Sequence, residues 1–132
     1  MNKTLRNWII VIIVLLLIIG GIYFFWQSEH QKYLKLSEFA KCVKTSGALF
    51  YGAFWCPHCQ NEKSLFSTFF ESAEKDLPYV ECSTPDSNGQ LQVCKDQGIA
   101  GYPTWKFADG SSQEGELTLQ ELSDKTSCPV PK

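Results

Sequence analysis

Residues 54–59 read Phe-Trp-Cys-Pro-His-Cys, and this stretch decides both the expected fold and the expected chemistry. The apolar run at residues 48–54 predicts a buried strand, and Pro57 is tolerated in the first turn of a helix. Cys56 and Cys59 therefore stand at a strand-to-helix junction, one helical turn apart. Free N–H groups at a helix start favour a thiolate, so we expect Cys56 to be the exposed attacking sulfur and Cys59 the resolving one.

Other interpretations of this cysteine pair are weaker. His58 is a candidate second cation or donor beside the Cys56 thiolate, and the alternative is a solvated turn residue. A structural zinc site needs a second ligand pair at matched spacing, and the remaining cysteines form no second Cys-x-x-Cys. Gln60 stands where covalent haem attachment needs histidine. We therefore expect no metal, and no cofactor other than a redox-active Cys56–Cys59 disulfide.

A second motif, Gly101-Tyr102-Pro103-Thr104, follows some 40 residues later. Together with Trp55 and the cysteine pair, it resembles the thioredoxin superfamily. The resemblance implies an α/β, thioredoxin-like fold over about residues 37–128, in which helices flank a central mixed sheet. It also implies a cis peptide bond before Pro103, and substrate-binding roles for Trp55, Pro103 and the backbone of Tyr102.

One branch of the superfamily is a closer match. Residues 51–53, 79–82 and 101–105, together with Cys94, look like the thioredoxin-like domains fused to, or acting with, bacterial vitamin K epoxide reductase homologues. This resemblance implies reoxidation by a quinone-linked integral membrane partner. Thioredoxins carry a buried acid at the position of Phe50, and its absence favours an oxidant of cysteines in exported proteins. The alternatives are a reductase, for example in cytochrome c maturation, and a non-enzymatic thioredoxin-like binding module.

The other four cysteines are expected to form structural disulfides. Cys82 ends a predicted strand and Cys94 lies on the predicted helix that follows, so we favour this pair. In a thioredoxin-like topology the first and last helices end at the same pole, which implies a Cys42–Cys128 disulfide. The alternative role for Cys82–Cys94 is a second redox pair that relays electrons from Cys56–Cys59.

Residues 8–26 contain no charged side chain and are long enough, at about 1.5 Å per residue, to cross a bilayer as a helix. A cleaved signal peptide would end in small residues, whereas this run ends in Tyr-Phe-Phe-Trp. Two positive residues precede it, so the positive-inside rule predicts a single-pass cell-membrane protein with a cytoplasmic N-terminus. Export places the cysteines where disulfides persist.

The predicted organisation is residues 1–7 in the cytoplasm, 8–26 in the membrane, 27–36 as a linker and 37–132 as the thioredoxin-like domain. The chain has 132 residues and a formal net charge of −2. Beyond residue 26 it contains ten lysines, no arginine and fourteen acids. Phosphate binding needs a basic footprint, so this composition argues against nucleic acid as a partner.

Periodicity and turn signals predict the elements of the domain. Phe66, Phe69 and Phe70 are assigned with Leu65 to the apolar face of the second helix, and His30 to the linker. Helices are expected at residues 37–46, 57–74, 90–97 and 118–126, and strands at 48–54, 78–82, 104–107 and 113–116. Ser37 can cap the first helix and Gly47 can end it, and Thr118 with Glu121 forms a capping-box pattern at the start of the last helix.

Overall fold

A computed structural model describes residues 2–131 of the chain. The helices are α1 (Lys3–Thr45), α2 (Pro57–Ser64), α3 (Gln92–Asp96) and α4 (Leu119–Thr126), and a 3₁₀ turn spans Glu74–Asp76. The strands are β1 (Leu49–Gly52), β2 (Tyr79–Glu81), β3 (Thr104–Lys106) and β4 (Ser112–Glu114). Apart from the 3₁₀ turn, the elements follow the order predicted from the sequence.

The four strands form one mixed sheet in the order β2-β1-β3-β4. β1 pairs parallel with β2 and antiparallel with β3, and β3 pairs antiparallel with β4. Parallel neighbours need a long crossover, and the segment containing α2 supplies it between β1 and β2. Because α2 begins shortly after β1 ends, the Cys56–Cys59 pair lies beyond the carboxyl end of β1, an inner strand of the sheet.

Aromatic side chains form the centre of the core. Phe50 of β1 and Trp105 of β3 are fully buried, with parallel rings whose centroids are 4.7 Å apart. Tyr79 of β2 meets Phe50 edge-on at 5.2 Å. Phe39 of α1 stacks on Phe66 at 6.0 Å. The position at which thioredoxins carry an acid is therefore occupied by a phenyl ring packed on aromatic neighbours.

α1 runs without interruption through residues 27–36, which were predicted to be a linker. Neither Gly nor Pro occurs between Gly21 and Gly47, and a polar composition alone does not end a helix. Ser37, expected as an N-cap, is instead buried within α1 and donates to Asp76 Oδ2 at 2.6 Å. Gly47, at φ +85°, follows the end of the helix as predicted.

α2 ends at Ser64, well before the predicted residue 74. Phe66 enters the core, but Phe69 and Phe70 are 79% and 51% exposed. Residues 67–72 instead form a tight loop, in which the Thr68 N–H donates to the Glu71 carbonyl at 2.7 Å. The assignment of Phe69 and Phe70 to a buried helix face is therefore wrong.

Two disulfides tie the domain together. Cys42 of α1 is bonded to Cys128 after α4, and Cys82 is bonded to Cys94 of α3, the two pairs favoured from the sequence. The pairs are 86 and 12 residues apart. The chain-entropy model gives such loops about 4.6 and roughly 3 kcal/mol of stabilisation. Cys82 and Cys94 are fully buried, which favours a structural role over a second redox pair.

A buried carboxyl group, Glu62, joins α2 to the rest of the core. The Trp105 indole N–H donates to its Oε1 at 3.2 Å, and the Leu117 backbone N–H donates to its Oε2 at 2.7 Å. Burial raises the pKa of Glu62 to about 7 despite both hydrogen bonds. The folded domain therefore holds a proton on Glu62 at a pH where the unfolded chain has released it.

We expect the free energy of unfolding to decrease as pH rises from about 4.5 to about 7, because the unfolded state binds fewer protons in that window. At about 1.4 kcal/mol per pH unit, the change is on the order of 3 kcal/mol. Glu62→Gln should flatten this slope. It should also lower stability at low pH, since an amide NH₂ would face one of the two donors, and this deficit should shrink as the wild-type Glu62 ionises. Urea unfolding of the detergent-solubilised chain measures both, with exposed Glu38→Gln as the control. An unchanged slope in Glu62→Gln would contradict the prediction.

Candidate active site

Cys56 is the N-cap residue of α2, and Pro57 occupies the first helical position. The Cys59 N–H donates to Cys56 Sγ at 3.3 Å, so a free donor of the helix start points at this sulfur. Both cysteines are free thiols in the structure. Within residues 2–131, no group of three or more His, Cys, Asp or Glu side chains is arranged to hold a metal ion.

Cys56 and Cys59 are both buried, but only the Cys56 sulfur accepts a hydrogen bond from the start of α2. Cys56 is only 4% exposed, against 0% for Cys59, so the expectation of an exposed Cys56 is wrong. Burial, reinforced by the contact with Cys56, raises the pKa of Cys59 to about 12. Cys59 therefore keeps its proton at neutral pH. This leaves Cys56 as the sulfur that the helix N-terminus can stabilise as a thiolate.

The second motif packs directly against the cysteines. Tyr102 and Pro103 are joined by a cis peptide bond, and the Tyr102 carbonyl oxygen lies 3.7 Å from Cys56 Sγ. The half-exposed Trp55 meets the Tyr102 ring edge-on at 6.1 Å, and its indole N–H donates to Ser83 Oγ at 2.8 Å. The structure thus brings together the residues that the sequence assigned to catalysis and substrate binding.

His58 is engaged by a partner that the sequence did not predict. Its Nδ1 lies 2.6 Å from Glu116 Oε1, which also accepts a hydrogen bond from Asn61 Nδ2 at 3.2 Å. The contact with His58, followed by that with Asn61, lowers the pKa of Glu116. The His58 side chain is 66% exposed and lies on the rim of an open groove beside Pro103. Its proposed action on the Cys56 thiolate therefore competes with its contact to Glu116.

Cys59 has neighbours that the sequence did not assign to the site, namely Gly52, Tyr79 and Lys63. A Cβ added to Gly52 would meet Cys59 Sγ at 3.0 Å and the Tyr79 ring at 2.9 Å, so both side chains pack against this glycine. Tyr79 donates to Glu81 Oε2 at 2.8 Å, and Lys63 Nζ lies 3.7 Å from the centre of the Tyr79 ring. Strand alternation places residues 79 and 81 on one face, which is the signal that could have linked them.

The match to a known family covers this whole site. A family model described as Thioredoxin matches residues 30–126. The chain belongs to the thioredoxin family. The predicted thioredoxin-like mixed sheet with flanking helices is confirmed, as is an N-terminal helix long and apolar enough to cross a membrane.

Curated relatives of the thioredoxin domain carry redox names. Thiol-disulfide oxidoreductase LTO1 of Arabidopsis thaliana is 42% identical over 91 residues, which are 66% of this chain and 23% of that protein. Protein disulfide-isomerase-like protein EhSep2 of Emiliania huxleyi is 36% identical over 66 residues, 47% of this chain and 28% of that protein. Protein disulfide-isomerase erp38 of Neurospora crassa is 30% identical over 75 residues, 53% of this chain and 20% of that protein. The chain therefore spans less than a third of the length of each.

Proposed function

We propose that this protein is a membrane-anchored, extracytoplasmic thiol–disulfide oxidoreductase whose redox pair is Cys56 and Cys59. The observation that carries the proposal is the placement of Cys56 Sγ at the start of α2, next to the Tyr102 carbonyl, with the protonated Cys59 one turn behind. The names of the relatives describe the same class of chemistry. A module used only for binding would need neither thiol.

In the proposed reaction, a substrate dithiol is oxidised by the Cys56–Cys59 disulfide in two successive exchange steps. A substrate thiolate attacks Cys56 in the Cys56–Cys59 disulfide, and Cys59 leaves with the electron pair and takes up a proton. The second substrate thiolate then attacks the substrate sulfur of the mixed disulfide, and Cys56 leaves as the thiolate. Two electrons have moved from the substrate dithiol to the domain. In this proposal the backbone of Tyr102 pairs with an extended substrate segment, which Trp55 and Pro103 flank.

We further propose that the substrates are cysteines of exported proteins, and that a quinone-linked membrane oxidoreductase of the vitamin K epoxide reductase type reoxidises the domain. The sequence resemblance and the phenyl ring of Phe50 support this direction. A thiol–disulfide reductase is the second candidate. It is favoured by the Tyr79–Glu81 pair near Cys59, which offers a proton acceptor that Phe50 cannot.

The activity is tested with the full chain in detergent. After oxidation, it should convert a two-cysteine peptide to its disulfide, with loss of one Cys56–Cys59 disulfide for each peptide oxidised. Cys56→Ser should reduce the rate to that of the uncatalysed reaction, whereas Glu38→Gln, an exposed change on α1, should leave it intact. Thiol counting during the reaction measures both. An unaltered rate in Cys56→Ser would contradict the proposal.

The membrane placement proposed is residues 1–7 in the cytoplasm, 8–26 in the bilayer and the thioredoxin domain outside. The charges before the apolar segment support it. A membrane-impermeant thiol reagent, added to intact cells after mild reduction, should label the wild-type protein but not the Cys56→Ser variant. Labelling only after lysis of the cells would contradict this placement, because it would show that the thioredoxin domain lies in the cytoplasm.

A further inference from the structure

The loop at residues 67–72 presents exposed aromatic rings next to the predicted end of the membrane span. Phe69 is 79% exposed and Phe70 is 51% exposed. The Phe25 ring, one residue before the end of the span at Trp26, meets both edge-on, with centroid distances of 6.2 and 5.9 Å. Most of the apolar area of this pair is left uncovered by protein, which marks an interaction surface.

This apolar surface continues along α1. An open groove is lined by the aliphatic and aromatic side chains of Ile19, Ile22, Tyr23, Trp26 and Phe70. Residues 19–26 cover about 10 Å of helix axis, reaching well into the proposed span. Phe70 therefore shares one surface with side chains that face lipid when α1 crosses a bilayer.

Polar contacts hold the loop against α1 just beyond the span. Glu29 Oε2 accepts a hydrogen bond from the Phe69 N–H at 3.2 Å, and Glu71 Oε2 lies 2.8 Å from His30 Nδ1. Lys32, and after it the Phe69 amide, holds the pKa of Glu29 below its usual value, so this carboxylate remains charged. The polar groups of the loop therefore contact the polar part of α1 beyond the span, and its phenyl rings contact the apolar end of the span.

We propose that residues 67–72 form a membrane wedge, in which the Phe69 and Phe70 side chains insert among lipid acyl chains at the bilayer interface. This inference rests on the proposed membrane anchor. Lipid is the occupant because the exposed rings continue the surface of the span itself, and because aromatic rings favour the interface. The wedge adds a second attachment beside α1. It thereby limits how far the thioredoxin domain, and the Cys56 site with it, can tilt relative to the membrane.

The test uses the full chain reconstituted in vesicles of phosphatidylcholine and phosphatidylglycerol. Photoreactive benzoylphenylalanine replaces Phe69 or Phe70, a change that keeps the phenyl ring and extends it with a benzoyl group at an exposed position. Irradiation should give phospholipid adducts in roughly tenfold higher yield than the same replacement of Val93, which is 48% exposed on α3. Replacement of Ile19 reports on the span itself. Mass spectrometry of the irradiated protein identifies each adduct.

Lipid adducts at positions 19, 69 and 70, with few at 93, would support the wedge. Adducts at 19 without adducts at 69 or 70 would overturn the wedge and leave the anchor standing. Absence of adducts at 19 would overturn the anchor, and the wedge with it. Equal yields at 69 and 93 would also overturn the wedge. So would adducts from 69 to a second copy of the chain, since they would show a protein interface instead.

Discussion

Cys59→Ala should accumulate covalent mixed disulfides between Cys56 and protein substrates, while Cys56→Ala should accumulate none. Cys56 of the Cys59→Ala variant forms a mixed disulfide when its thiolate attacks a substrate disulfide. Without Cys59 the domain has no second thiol close enough to displace the substrate, so only slower attack by a thiol of the substrate can release it. Cys59 is suited to displacing the substrate since it is fully buried and its N–H contacts Cys56 Sγ at 3.3 Å. The effect is expected to be all-or-none and is therefore the largest we predict.

The measurement is a non-reducing gel of the full chain, purified from cells whose thiols have been blocked with acid and an alkylating reagent. Adducts of Cys59→Ala should disappear on reduction. The double variant Cys56→Ala, Cys59→Ala controls for disulfides formed through the other four cysteines. Trapping by Cys56→Ala, with none by Cys59→Ala, would show that the two sulfurs have exchanged roles.

The centre of the fold could be predicted because local signals agree there. The apolar run before residue 54 suits a strand, and Pro57 suits the first turn of a helix. The capping box predicted at Thr118 and Glu121 is also present, since both of its hydrogen bonds lie within four residues. Signals of this kind depend on the near neighbours in the chain, and the sequence displays them directly.

The end of α2 could not be predicted in the same way. The spacing of Phe66, Phe69 and Phe70 imitates one face of a helix, but only Phe66 reaches the core. Hydrogen bonds to Glu29 and His30, some 40 residues away in the chain, hold residues 67–72 as a loop instead. Tertiary contact overrides periodicity here, and periodicity carries no information about such a distant partner.

Most side chains around Cys56 and Cys59 could not be predicted either, because they come from distant parts of the sequence. His58 and Glu116 are 58 residues apart in sequence, and Trp105 and Glu62 are 43 apart. The sequence identified His58 as a candidate but not the carboxylate that binds it. It also missed Tyr79 and Glu81, because their relation to Cys59 depends on the parallel pairing of β1 with β2. Local motifs identify the reacting sulfur atoms. The side chains that surround these sulfurs are distant in sequence, and only the topology of the sheet brings them close.

The Cys56–Cys59 couple should be more oxidising than the roughly −270 mV of thioredoxin. Stabilisation of the Cys56 thiolate favours the dithiol form, and the start of α2 directs an N–H donor at this sulfur. Each 30 mV corresponds to about 1.4 kcal/mol of such stabilisation. The Phe50 ring, in the position of the family's acid, adds no negative charge that would oppose the thiolate.

Titration of the full chain against glutathione buffers, followed by alkylation and mass spectrometry, gives the potential while the two other disulfides stay intact. His58→Ala separates the imidazole from the helix terminus. Because His58 is 66% exposed and paired with Glu116, we expect its removal to lower the potential by no more than about 30 mV. A larger fall would make the imidazole the main stabiliser of the thiolate. A wild-type potential near −270 mV would instead assign the domain to the reductases, with the Tyr79 hydroxyl passing the Cys59 proton to Glu81.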